Sequence, residues 1–147
     1  EVAQAYLNKK DYKNAIEYFE RAAKLNPNVG LTFWYLGASL IEIGDIENGL
    51  KAVDRAVELG YAFSESDTLR LINLYVKAGD FNKIAALYER LISAKPSNPQ
   101  YHASLAAAYV KIGKIDQAVE QARAAAQIDK TFEAEAKRFV ESLGKQW

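Results

Sequence analysis

Residues 33–53 read FWYLGASLIEIGDIENGLKAV, and the Gly44-Asp45 step in the middle of this stretch decides how the chain folds. Before it, Leu36, Leu40 and Ile43 recur at helical spacing; after it, Ile46, Leu50, Val53 and Val57 do the same. Gly44 suits the end of the first helix because glycine takes a left-handed backbone without a Cβ penalty. Asp45 suits the start of the second, where a carboxylate accepts hydrogen bonds from the free amides of the first turn. The stretch predicts two amphipathic helices joined by a tight turn.

The same unit recurs in both directions. Ala22, Ala56, Leu91 and Ala125 are spaced by 34, 35 and 34 residues. Identical spacings connect Ala15, Gly49, Ile84 and Ala118, then Tyr12, Ile46, Phe81 and Ile115, then Tyr6, Leu40, Tyr75 and Tyr109. The turn glycine returns at Gly79 and Gly113, with Lys10 in that slot of the first repeat; Asp11 and Asp80 follow it, with Lys114 in the fourth. Pro27 and Pro96 stand just past the second helix, where Tyr61 and Lys130 replace them in the other repeats. Many columns sharing one register identify an internal repeat. The extra residue of the 35-residue spacing lies within residues 60–67, where Ser64 and Asp67 suit a helix N-cap.

Composition narrows the function. Lys and Arg together number 19, as do Asp and Glu, so the formal net charge is zero, which counts against a nucleic-acid binder. The absence of cysteine removes disulfides, thiolate metal sites and a cysteine nucleophile. No apolar run approaches the roughly 20 residues that cross a bilayer, and no signal-peptide pattern opens the chain. The chain begins at Glu1 without an initiator methionine, which points to a piece of a larger protein. Cytoplasmic and periplasmic locations both fit.

The repeats resemble the tetratricopeptide repeat family, whose pattern runs W-x2-L-G-x2-Y, then A-x3-F, then P. The second repeat gives Phe33, Leu36, Gly37 and Leu40, then Gly49 and Val53; the third gives Leu71, Tyr75, Ile84, Tyr88 and Pro96. The fourth gives His102, Leu105, Ala106, Tyr109 and Ala118, and the first gives Ala15, Phe19 and Pro27 behind a shortened first helix. The resemblance implies an all-α fold, a right-handed superhelical solenoid of antiparallel helical hairpins forming a single domain. Its repeats span about 1–29 (truncated), 30–63, 64–98 and 99–130. Residues 131–144, with Phe132, Ala136, Phe139, Val140 and Leu143 on one stripe, are expected to form a C-terminal capping helix. Trp147 either folds back on that cap or serves a contact elsewhere. The opposite end has no recognisable cap.

No chemistry emerges from the residues. The single histidine, His102, falls in a large core slot, and nucleophile elbows, phosphate loops and zinc spacings are absent. Catalytic residues, cofactors and metals are therefore expected to be none. In the family, first helices line a concave groove, and its positions carry over to Gln4, Leu7 and Asn8 in the first repeat. They carry over to Trp34, Ala38, Ile41 and Glu42 in the second, Leu69, Arg70, Asn73 and Lys77 in the third, and Ala103, Ala107 and Lys111 in the fourth. Trp34 stands out: it either anchors a partner in the groove or packs between repeats. The lysine and asparagine pattern that grips chaperone C-termini in one family subtype is matched only by Arg70.

The resemblance implies a non-catalytic scaffold that binds a protein or peptide segment in this groove, as a fragment of a larger bacterial protein. The alternative is a self-assembly module that stacks through its uncapped N-terminal hairpin. A helical-repeat RNA binder is a third reading, opposed by the zero net charge.

Overall fold

The turn residues set the helix boundaries. In the computed structural model, which describes residues 2–147, α1 (Val2–Asn8) and α2 (Tyr12–Leu25) flank Lys10, and α3 (Gly30–Glu42) and α4 (Ile46–Glu58) flank Gly44. Then α5 (Glu65–Ala78) and α6 (Phe81–Ala94) flank Gly79, and α7 (Pro99–Lys111) and α8 (Ile115–Ile128) flank Gly113. A single 3-10 turn (Lys130–Phe132) leads into α9 (Glu133–Ser142). The described residues contain helices and no strand.

The four turns close in the same way. Gly44 has a φ of 92°, its amide donates to the Ile41 carbonyl (3.0 Å), and the Asp45 amide donates to Leu40 (2.9 Å). This pair of hydrogen bonds satisfies two of the last carbonyls of the helix. Gly79 and Gly113 repeat it at φ values of 72° and 79°, and Lys10 does so at 56°, a conformation that costs a residue with a Cβ about 1–2 kcal/mol. Asp11, Asp45 and Asp80 accept from the amides of Asn14, Asn48 and Lys83, whereas Lys114 gives its helix no side-chain cap.

The chain divides into two compact units, one ending at Leu74 and the other beginning at Tyr75. In the N-terminal unit α2 packs on α1 and α3, and α3 on α4. Phe19, Leu36, Leu40 and Ala52 are buried together, with Tyr6, Leu7 and Phe33 against them. The α3–α4 contact is close enough to need glycine on both sides. A Cβ on Gly37 would lie 2.6 Å from the Gly49 carbonyl oxygen and 2.7 Å from Val53 Cγ2, and one on Gly49 would lie 2.9 Å from the Gly37 carbonyl oxygen.

In the C-terminal unit α7 packs on α6 and α8, and α8 on α9. Ala106, Val119, Ala122, Ala126, Ala136 and Val140 are buried together, with Phe139 and Leu143 half-buried against them. Glu133, Glu135, Lys137, Arg138 and Glu141 face solvent, so α9 shows the apolar inner face and charged outer face of a terminal repeat element. The chain end folds back mainly on α8: Arg123 donates to the Gln146 carbonyl (2.6 Å) and Lys145 pairs with Asp116 (3.0 Å). Trp147 stays 39 % exposed.

Candidate partner-binding site

The structure sorts the residues singled out from the sequence into two kinds. Gln4, Asn8, Asn73, Lys77, Ala107 and Lys111 are exposed, and Leu7, Glu42, Leu69, Arg70 and Ala103 are half-buried. Trp34, Ala38 and Ile41 are enclosed, at 0 %, 0 % and 2 % exposure. That corrects the expectation that this stripe lines an open groove. Ile41 is covered because α4 approaches it at Gly49, where even an added Cβ would collide with the Ile41 side chain. Of the two readings of Trp34, the structure gives the packed one.

Trp34 is covered by the loop that follows α4. Tyr61 stacks on its ring at 6.4 Å between centroids, Phe63 meets it edge-on at 5.2 Å, and the Arg70 guanidinium lies 5.9 Å from the ring centre. These are favourable aromatic and cation–π geometries. The cover is held by local bonds: the Tyr61 hydroxyl donates to Asp67 (2.8 Å), and the Ser64 hydroxyl oxygen accepts from the Asp67 amide (3.1 Å). Burial first, and then the Asp67 carboxylate, push the Tyr61 hydroxyl up to about 12. The indole N–H of Trp34 meets no acceptor among the described residues, an uncompensated cost of about 1–3 kcal/mol.

The C-terminal unit treats the same repeat position differently. Trp34 and Ala103 occupy one column of the repeat, 69 residues apart, and so do Phe63 and Phe132. Around Ala103 the structure holds a cavity of about 130 Å³. Its walls are Ala106 and Ala107 of α7, Ala122 and Ala125 of α8, and Phe132, Ala136 and Phe139 from the last turn and helix. Glu135 is the charged residue among them. Two of the residues carried over from the family, Ala103 and Ala107, thus meet at one concavity. The walls from α9 and the 3-10 turn were not among them, because the family pattern ends before that segment. Phe132, in the column of Phe63, was the available signal.

The polar groups nearby are engaged in structure. His102 is buried; its Nε2 lies 2.8 Å from the Pro96 carbonyl, which can only accept, and Nδ1 lies 2.6 Å from Gln121 Oε1. The Tyr109 hydroxyl donates to Glu89 (2.7 Å), joining α7 to α6, and burial together with that carboxylate pushes it up to about 12. Among the described residues no three His, Asp or Glu side chains gather as a metal site, and no helix is long and apolar enough to cross a membrane.

Stacked helical hairpins in a fixed register define a helical-repeat protein. Sequence models of the tetratricopeptide repeat match residues 2–29 and 75–143. The chain belongs to the tetratricopeptide repeat family. It is 30 % identical over 92 residues, 62 % of its length, to a TPR repeat-containing thioredoxin of Arabidopsis thaliana. It is 27 % identical over 101 residues, 69 % of its length, to a small glutamine-rich tetratricopeptide repeat-containing protein of Mycosarcoma maydis. The chain spans 13 % and 28 % of the length of these curated relatives.

Among solved structures, MamA of Desulfovibrio magneticus RS-1 matches with a TM-score of 0.68 at 18 % identity, covering 88 % of this chain and 72 % of that one. A second MamA structure matches at 0.67 and 25 % identity, covering 87 % and 69 %. These likenesses place the fold among helical-hairpin solenoids. Such repeats serve as protein-interaction scaffolds and are typically non-catalytic.

Proposed function

We propose that this scaffold binds a peptide segment of a protein partner, and that the surface formed by α7 and α9 in the C-terminal unit is part of the binding site. The observation that carries the reading is the cavity at Ala103 and Ala107. An apolar concavity with few polar groups is the ordinary form of a ligand site. Exposed Ala107 and Lys111 stand one turn apart on α7, so an apolar floor and a cationic handle are offered on one helix. Gln4, Asn8 and Asn73, exposed in the N-terminal unit, and Lys77, exposed in the C-terminal unit, remain separate candidates.

A peptide-display selection against the whole chain tests this. Selected peptides are expected to lose at least tenfold in affinity for Ala107→Arg, because a charged side chain then enters the cavity mouth. Ala107 is exposed, so the substitution leaves the core intact. Peptides that bind wild type and Ala107→Arg equally would place recognition elsewhere.

A further inference from the structure

We propose that the cavity of the C-terminal unit receives an aromatic side chain from the bound peptide, and that a basic residue beside that side chain meets Glu135. The inference rests on the peptide-binding reading and names the chemistry of what it takes up. Three observations carry it. The first is the repeat register itself. In the N-terminal unit the position of Ala103 is filled by Trp34, whose ring meets Phe63 edge-on at 5.2 Å. In the C-terminal unit the equivalent aromatic, Phe132, is present as a wall, but Ala103 supplies only a methyl group, and a cavity is lined by both. The protein therefore contains within its own sequence an example of the side chain this place accommodates.

Size agrees. The cavity measures about 130 Å³, close to the roughly 150 Å³ of an engineered apolar cavity that takes up benzene. A phenyl ring fits there, against alanine methyls and with Phe132 and Phe139 at its edge.

Charge selects what stands next to the ring. Glu135 lines the cavity yet remains exposed, and it makes no hydrogen bond or ion pair among the described residues, not even with Arg138 three residues along the helix. A lysine or arginine adjacent to the bound ring gains this carboxylate, whereas an acidic neighbour is repelled.

The test is alanine-methyl NMR on the full chain, titrated separately with acetyl-Phe-Lys-amide, acetyl-Phe-Glu-amide and acetyl-Ala-Lys-amide. The first is expected to shift the methyls of Ala103, Ala107 and Ala136. The second is expected to do so about two- to fivefold more weakly, and the third to leave them in place. Glu135→Gln should bring the two phenylalanine probes to equal affinity. Ala103→Phe should abolish the shifts of both by filling the cavity from within, and Ala107→Phe provides the same block from an exposed position. Absence of shifts at these methyls with acetyl-Phe-Lys-amide, or equal shifts with acetyl-Ala-Lys-amide, would overturn the proposal. Display-selected peptides that lose affinity for Ala107→Arg yet shift no methyl of Ala103 or Ala136 would overturn this assignment and leave the peptide-binding reading standing. A selection that yields no binder would remove both.

Discussion

The α3–α4 hairpin and the α7–α8 hairpin share one register and one turn, yet they fill their space in different ways. In the first, Gly37 and Gly49 let two backbones meet, and the large Trp34 is roofed by Tyr61 and Phe63. In the second, the same two columns hold Ala106 and Ala118, and Ala103 stands in for the tryptophan, so side-chain volume is missing at the helix surface. A repeat fixes where helices begin and end. It does not fix whether a given position becomes core or opening; that depends on how much volume the next segment lays over it.

The comparison breaks most visibly at Trp34. Trp34→Ala is expected to cost about 3–4 kcal/mol in urea denaturation of the N-terminal unit, toward the low side for a buried tryptophan because its unpaired indole N–H is removed as well. A loss under about 1 kcal/mol would mean the roof of Tyr61 and Phe63 carries no weight. Next is the glycine contact. Gly49→Ala should cost about 2–3 kcal/mol by forcing α3 and α4 apart, while the converse Ala118→Gly in the other hairpin should cost only about 1 kcal/mol. Equal costs would show that the close approach is not what distinguishes the hairpins.

A smaller effect sets the two hairpins side by side at high pH. Tyr61 and Tyr109 each donate to a carboxylate and each titrate at about 12 rather than 10. A folded-state value above the unfolded one means these hydroxyls support folding fully below pH 10. That support is lost as pH rises from about 10 through about 12, because the unfolded chain releases the protons first. Stability measured across this window should fall less steeply in Tyr61→Phe and Tyr109→Phe than in wild type. An unchanged slope would remove the two tyrosines from the account.

The helix boundaries were legible in the sequence because they rest on local chemistry. Gly44, Gly79 and Gly113 adopt the positive φ that their placement implied, and Asp11, Asp45 and Asp80 cap the helices that follow. Even the exception at Lys10 was marked by register, although its left-handed backbone is not a lysine preference. The candidate site was legible only in part. Trp34, Ala38 and Ile41 occupy groove positions by count, but burial depends on the approach of α4 and on a loop more than twenty residues downstream. Helical spacing carries no information about that loop's path. Ala103 and Ala107 were found by count as well, yet an alanine does not announce that its neighbours leave space beside it.

Urea denaturation of Ala103→Phe tests the central claim, that the fourth repeat leaves open the place its second repeat fills. The account predicts a higher midpoint at unchanged m, corresponding to about 1–2 kcal/mol of added stability from filling the cavity. A midpoint below that of wild type would contradict it, showing that no space for a ring exists beside Ala103.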